Sequence, residues 1–379
     1  MIVREFLLWM ETAPAGQRAE AAHALARAYL HSEVDEETRS AMEAALTVLL
    51  DDEAPEVRFA LADVLGASDK APRHVVVSLA ADQPDIAEIV LSCSPLFIDA
   101  ELVDIAAAAQ CSLQVAVARR PIVSSSVAAA IAEVGELLAC MALLANRGAS
   151  IARISFKRIA ERFAEEAEMR EALLARPDLP PDVHQQIIRT VGDQLGAMMI
   201  ENSWIGEDRA RAVTRDACDR ATVAIAAESA TDELPALVEH LRVTEQLTTA
   251  LMLRAVCAGN VAFFEAALAA LSHVPGYRIA ILVRAGRMGG LRAVYSKAGL
   301  PPLAFEAFAA ALDTWRRVAA EGGIKDRYRF TIQTVDAVLA RYANISDGEM
   351  NELATMLRRF ASDQAREAAR DYARAAVAA

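Results

Sequence analysis

The strongest constraint on this chain is a turn that returns at an almost fixed interval. Four times between residues 91 and 190 a short apolar segment ends in a turn, and a new helix is expected to start. The turns read Leu91-Ser92-Cys93-Ser94-Pro95, Val117-Ala118-Arg119-Arg120-Pro121, Leu144-Ala145-Asn146-Arg147-Gly148 and Leu174-Ala175-Arg176-Pro177-Asp178. Pro95 to Pro121 is 26 residues, and Pro121 to Pro177 is 56, two steps of 28 with the Asn146-Arg147-Gly148 turn between them. A period of this length marks stacked units, none of which can bury its apolar face alone. The 379 residues are then either two domains or one long array without a single core.

Composition narrows the class. The chain is 54% hydrophobic but only 5% aromatic, so its apolar content is mostly Ala, Leu and Val, and Ala is the best helix former. The formal charge of -13 argues against a general nucleic-acid binder, which would carry a basic domain, while leaving room for a local basic groove. Cysteines stand at 93, 111, 140, 218 and 257, with no C-x-x-C pair, and read as reduced core residues of a cytosolic protein. Met1-Ile2-Val3-Arg4-Glu5-Phe6 has a charge pair and no long apolar run, unlike a signal peptide. The longest uncharged run, Ile105 to Ala118, is 14 residues. A spanning helix needs about 20, so a soluble protein is expected.

In chain order, residues 1 to 50 read as two or three helices, including Arg18 to Leu30 and Glu36 to Leu50, with Asp35 placed to cap the second. The segment Leu49-Leu50-Asp51-Asp52-Glu53-Ala54-Pro55-Glu56-Val57-Arg58 opens a helix in which Pro55 sits where its missing N–H costs nothing. Val57, Leu61, Val64 and Leu65 line one face of it, and Gly66 can end it. A degenerate copy at 79–91 keeps Asp82 and Pro84 but lacks the Arg. Pro180-Pro181 opens a helix expected to run towards Met199, and Asn202 to Gly206 reads as a turn. Residues 202–230 look less regular, their alternating charges forming a solvated face. Polar residues 228–232 suggest a domain boundary. Beyond it Gly259, Gly286 and Gly299 supply the left-handed backbone that ends helices. Two closing helices are expected, Lys325 to Tyr342 and Asp347 to Ala376. The second would be capped by Ser346 with Glu349, and Leu353, Leu357, Phe360 and Tyr372 would mark its apolar side.

The Leu-Asp-Asp…Pro-Glu-Val-Arg motif at 50–58 resembles the second half of a HEAT repeat. Together with the Ser94-Pro95 and Arg119-Arg120-Pro121 turns and the stretch Cys257-Ala258-Gly259-Asn260-Val261-Ala262-Phe263-Phe264-Glu265, it makes the chain similar to a family of uncharacterised alphaproteobacterial HEAT-like repeat proteins, over residues 45 to 310. The resemblance implies an all-helical cytosolic bacterial protein, with Asp52 and Arg58 bonding between neighbouring repeats. It brings no catalytic residues.

Motif-borne chemistry is missing. The six histidines are dispersed, none in H-E-x-x-H or at metal-ligand spacing with a cysteine. There is no G-x-S-x-G elbow and no Walker A loop. One pattern stands out: Arg119 or Arg120, Arg147 and Arg176 fall at equivalent turns of successive repeats, so they can form a row. A row of guanidinium forks suits an acidic peptide, a phosphate-bearing ligand or a nucleic-acid backbone. The competing reading, which carries more weight, has each Arg bonding carbonyls at a helix end or an Asp next door. Trp204 and Trp315, each beside charged residues, are either partner anchors or gap fillers, with filling favoured.

The sequence thus predicts an all-α protein: a HEAT-like superhelix (α-solenoid) over 1–230 and a C-terminal helical array over 231–379. The expected function is a non-enzymatic, cytoplasmic scaffold for protein–protein interaction, without cofactor or metal and away from membranes. Its candidate partner-binding residues are Arg119, Arg120, Arg147, Arg176 and Trp204. The alternatives are nucleic-acid binding through a local basic groove around residues 119–158, or an enzyme with a site between the two segments, whose sign would be a deep pocket with perturbed carboxylates.

Overall fold

The computed structural model describes residues 5, 8–10, 12–324, 326–342 and 348–378. The expected cap Ser346 with the side chain of Glu349, the helix start at Lys325, the Tyr372 side chain and most of Met1–Phe6 lie outside what is described. Within those bounds the protein is all-helical, and the extended pairing is a lone parallel bridge between Val123 and Ala149. The helices divide into two compact units, one ending at Leu179 and the other beginning at Pro180. The polar stretch 228–232 lies inside the second unit, between two of its helices.

The first unit holds α1 (Ala15–His31), α2 (Glu36–Val48), α3 (Pro55–Leu65), α4 (Arg73–Ala80), α5 (Pro84–Cys93), α6 (Asp99–Ala108), α7 (Cys111–Ala118), α8 (Ser125–Val134), α9 (Leu137–Ala145), α10 (Arg153–Arg162) and α11 (Ala167–Leu174). Alternate helices pack side by side. One row runs α1, α3, α5, α7, α9, α11, and a second runs α6, α8, α10. The cause is local. Most of the helices are short: Pro55 and Pro84 open α3 and α5, Gly66 and Gly135 follow α3 and α8, and Asp35 accepts from the Thr38 N–H at 2.7 Å and opens α2. Each buries one stripe, such as Val57, Leu61 and Leu65 of α3 or Ile86, Val90 and Leu91 of α5. That stripe packs against the next helix along the row and against the sequence neighbour in the other row.

Charged forks fix the step between neighbours. Arg18 of α1 reaches Asp52 before α3 with a bidentate pair of 2.8 and 2.7 Å. Arg58 of α3 repeats the contact on Asp82 before α5, at 2.6 and 3.0 Å. The missing Arg of the 79–91 copy therefore leaves Asp82 paired, because Asp82 takes its arginine from α3, the previous helix of the row. Arg73–Glu101 and Arg158–Glu133 tie α4 to α6 and α10 to α8.

The second unit begins with two long helices, α12 (Pro181–Glu201) and α13 (Glu207–Glu228), joined by the expected turn, in which Ser203 takes a left-handed φ of 55°. The region expected to be irregular is thus one continuous 22-residue helix. Its alternating Arg, Asp and Glu residues add helix-stabilising pairs such as Glu207–Arg211. The unit continues with α14 (Leu234–Val243), α15 (Thr249–Cys257), α16 (Val261–Ser272), α17 (Gly276–Arg284), α18 (Met288–Lys297), α19 (Phe305–Ala320), α20 (Arg327–Tyr342) and α21 (Gly348–Ala378). Helix α15 is the centre, buried from Leu251 to Cys257 and packed by α13, α16, α19, α20 and α21. Phe264 stacks on Phe308 with ring centroids 4.9 Å apart, and Tyr295 meets Phe305 edge-on at 5.2 Å. Trp315, half-buried, packs against this core.

Candidate functional site

The turns of the first unit follow one another closely. Backbone bonds from the Val123 N–H to the Gly148 carbonyl (3.2 Å) and from the Ser150 N–H to the Val123 carbonyl (2.9 Å) lay one turn along the next. The Ser126 hydroxyl donates to Asp99 one step earlier. Gly148 is required by this approach, because a Cβ there would stand 2.0 Å from the Pro121 carbonyl oxygen.

The four arginines singled out by their spacing divide into two kinds. Arg120 is only 8% exposed and points inward, donating to the Leu91 and Ser94 carbonyls at 2.6 Å each. Burial lowers its pKa, and among the described residues no carboxylate lies within ion-pair distance of it. Arg176 is also buried. It donates to the Asn146 and Ala149 carbonyls and forks onto Asp178 at 2.8 and 2.7 Å. Both are committed to ordering the preceding turn and are not free to meet a ligand. Arg119 and Arg147 are exposed on the same turns.

The side chains that bridge successive turns are Arg176, Asn146 and Arg120. The Asn146 amide donates to the Ala118 and Arg120 carbonyls at 2.8 and 2.7 Å, and its oxygen accepts from the Gly148 N–H. A lacing therefore runs from Arg176 to turn 144–149, from Asn146 to turn 118–120, and from Arg120 to turn 91–94. Arg162 makes an analogous stitch to the Ala132 and Gly135 carbonyls at 2.7 Å each. Spacing alone could not separate Asn146 from Arg147. The signal that does is the Asn-x-Gly pair, which lets one side chain brace its own turn and the previous one.

Along this edge three isoleucines are left outside: Ile98, Ile122 at 79% exposure and Ile154 at 75%. Each stands at or just before the start of a helix in the second row. Sequence spacing places Ile154 on the inner face of its helix with Ile159, but only Ile159 is buried; Ile98 and Ile122 carry no signal that separates them from core residues.

Trp204 sits in the α12–α13 turn and is 63% exposed. Val191, Leu195 and Met198 of α12 and Val213 of α13 are exposed as well.

Also in the second unit, a cleft of ≈ 960 Å³ opens among α13, α15, the 301–304 turn and α21. Arg254, 2% exposed, donates to the Asp216 carbonyl at 3.0 Å and to its carboxylate at 2.5 Å, while its Nε has no partner. Beside it burial pushes the Asp219 carboxyl up to about 6, against the pull of Arg254. Arg215 and Arg359 line the same cleft and are exposed. Among the described residues no three His, Cys, Asp or Glu side chains gather as metal ligands, and no helix is long and apolar enough to cross a membrane.

Neither a curated protein nor a solved structure matches the chain. A profile described as "Uncharacterised protein conserved in bacteria (DUF2336)" matches residues 86–346, from within α5 to past α20. That span takes in the laced turns, the α12–α13 hairpin and the buried α15, and with more than half of its length matched the chain belongs to this bacterial family.

Proposed function

We propose that the chain is a non-enzymatic scaffold of the bacterial cytoplasm, built as a HEAT-like α-solenoid followed by a helical array, which docks a protein partner along the turn edge of its first unit. The observation that carries this reading is the row of exposed Ile98, Ile122 and Ile154 beside exposed Arg119 and Arg147. The turns beneath them are held by backbone and side-chain bonds, so an incoming chain would find its contacts already ordered and lose little entropy there. Large apolar residues in a polar setting mark interaction sites, and arginine at the rim supplies steering and specificity.

A nucleic-acid groove finds less support. Of the cations that would line it, Arg120 is turned inward, while Arg158 and Lys157 are matched by Glu133 and Glu161. A second reading, a small-molecule or catalytic site, is favoured by the cleft at Asp219, because a half-buried carboxyl titrating near 6 beside a buried arginine is the kind of group active sites use.

The test is affinity capture from a bacterial lysate with the tagged protein and with an Ile122→Glu/Ile154→Glu variant, with and without nuclease, at two salt concentrations. A polypeptide that survives nuclease and moderate salt and is lost with the variant supports the scaffold. Nucleic acid that disappears steeply as salt rises replaces it with the groove. Capture of neither, with a ligand raising the melting temperature of the wild type but not of Asp219→Asn, moves the reading to the cleft.

A further inference from the structure

The N-terminus of α15 opens into the cleft of the second unit. Thr248 caps the helix, its hydroxyl accepting from the Leu251 N–H at 3.1 Å. The two amides in between, those of Thr249 and Ala250, have no acceptor among the described residues, and both residues line the cleft. A helix start with free N–H groups carries about half a positive charge and suits an anion. A second, independent feature lies in the same cleft. Arg254, 2% exposed, commits its two terminal nitrogens to Asp216, and its buried Nε is left without an acceptor. Folded chains rarely leave a buried donor orphaned, so this one points to a missing partner.

The charged lining agrees in sign. Arg215 of α13 and Arg359 of α21 are exposed in the cleft, and neither has a carboxylate within ion-pair distance among the described residues. Of the two acids present, Asp216 is held by Arg254 and Arg220. Asp219 makes no hydrogen bond among the described residues, and burial opposes its ionisation. In a chain of net charge -13 the cleft is thus locally cationic. Leu303 and Met356 add an apolar stretch to its lining.

We propose that this cleft binds a nucleotide, with its phosphate taken by the α15 N-terminus, Arg215 and Arg359. Phosphate oxygens match both the free amides and the guanidinium forks. Asp219 is an acceptor in want of a donor, which a base amino group or a sugar hydroxyl supplies and a fatty acid does not. The base rests on the apolar stretch at Leu303 and Met356. At ≈ 960 Å³ the cleft has room for a whole nucleotide, far more than an inorganic ion needs. The proposal deepens the cleft reading given above and concerns the second unit alone, so the turn edge of the first unit does not depend on it.

Isothermal titration calorimetry on the full chain tests it. The probes are adenosine, guanosine, cytidine and uridine 5′-monophosphates, with the parent nucleosides, inorganic phosphate and dodecanoate beside them, each up to about 1 mM. At least one nucleotide should bind, and its nucleoside should bind at least about tenfold more weakly. Arg215→Ala/Arg359→Ala should weaken nucleotide binding about 100-fold, by the loss of two charged donors. Both side chains are exposed, so the ligand-free variant should keep the wild-type melting temperature. Arg358→Ala, at an exposed neighbour outside the cleft lining, should bind as the wild type does. Absence of nucleotide binding overturns the proposal, and so does binding that survives the double substitution. Inorganic phosphate that binds as tightly as any nucleotide overturns it by leaving a bare anion hole. A nucleoside or dodecanoate that binds as tightly as the nucleotides, and is lost in Asp219→Asn, overturns the phosphate recognition while keeping the cleft as a small-molecule site.

Discussion

Arg119 and Arg120 are neighbours of the same residue type, and the structure gives them opposite fates, so replacing each by alanine isolates what the lacing contributes. Arg120→Ala removes two hydrogen bonds of 2.6 Å to the Leu91 and Ser94 carbonyls and leaves both acceptors without a donor. Bonds from a charged group contribute about 1.5–3 kcal/mol each, and relief of the buried guanidinium returns part of that, so the net loss is about 3 kcal/mol. Arg119→Ala alters an exposed side chain and should cost under about 0.5 kcal/mol. Two compact units make a single two-state treatment unsafe, so the assay is scanning calorimetry, in which units that melt separately are expected to give separate transitions. For a unit of this size about 3 kcal/mol corresponds to a fall of roughly 6–12 °C. Arg120→Ala should move the transition of the first unit by that amount and leave that of the second in place. Equal shifts for Arg119→Ala and Arg120→Ala would refute the inward assignment and return both to the surface row.

Further outcomes follow from single contacts. Gly148→Ala should lower the same transition by about 1–3 kcal/mol, measured by calorimetry, because the new methyl must push the turn away from the Pro121 carbonyl. Gly192→Ala should destabilise the second unit, and Cys218→Ala placed with it should recover most of the loss, since the clash is with that sulfur. A double-mutant cycle on Arg58 and Asp82 should return a coupling of about 1–2 kcal/mol, because both side chains are largely buried and the contact is bidentate. Asp219 has a folded-state pKa of about 6 against 3.8 for the free group, raised by burial. Its favourable contribution is full below the unfolded value and is lost as pH rises through about 6. Above that pH its ionised form costs about 2 kcal/mol after allowing for partial exposure, so Asp219→Asn should raise the urea midpoint at pH 7.5 and leave it nearly unchanged at pH 4.

The helical class and most element ends were legible because they are written locally. Asp35 caps α2, Pro55 and Pro84 open α3 and α5, and Gly259, Gly286 and Gly299 adopt positive φ, all as the residues imply. Gly66 ends α3 without leaving the right-handed region, so its small size matters there more than its freedom. Residues 207–228 misled, because mixed charge without a clear apolar stripe looks irregular, whereas the helix is held by i, i+4 pairs and a narrow face of Ala210, Thr214 and Cys218. The direction of each arginine was not legible. Arg120 and Arg119 have the same local sequence, and only the position of the preceding turn decides which of them faces its carbonyls. Asp216, Asp219 and Arg254 are 38 residues apart at the widest and carry no motif, so their meeting exists only in the fold.

The most direct test of the account is hydrogen–deuterium exchange on the full chain with and without the captured partner. Slowed exchange is expected at turns 95–99, 119–124 and 147–154, with the hydrogen-bonded Val123, Gly148 and Ser150 amides already protected in the free protein. Protection confined to the second unit, or turns that exchange freely before the partner arrives, would contradict it.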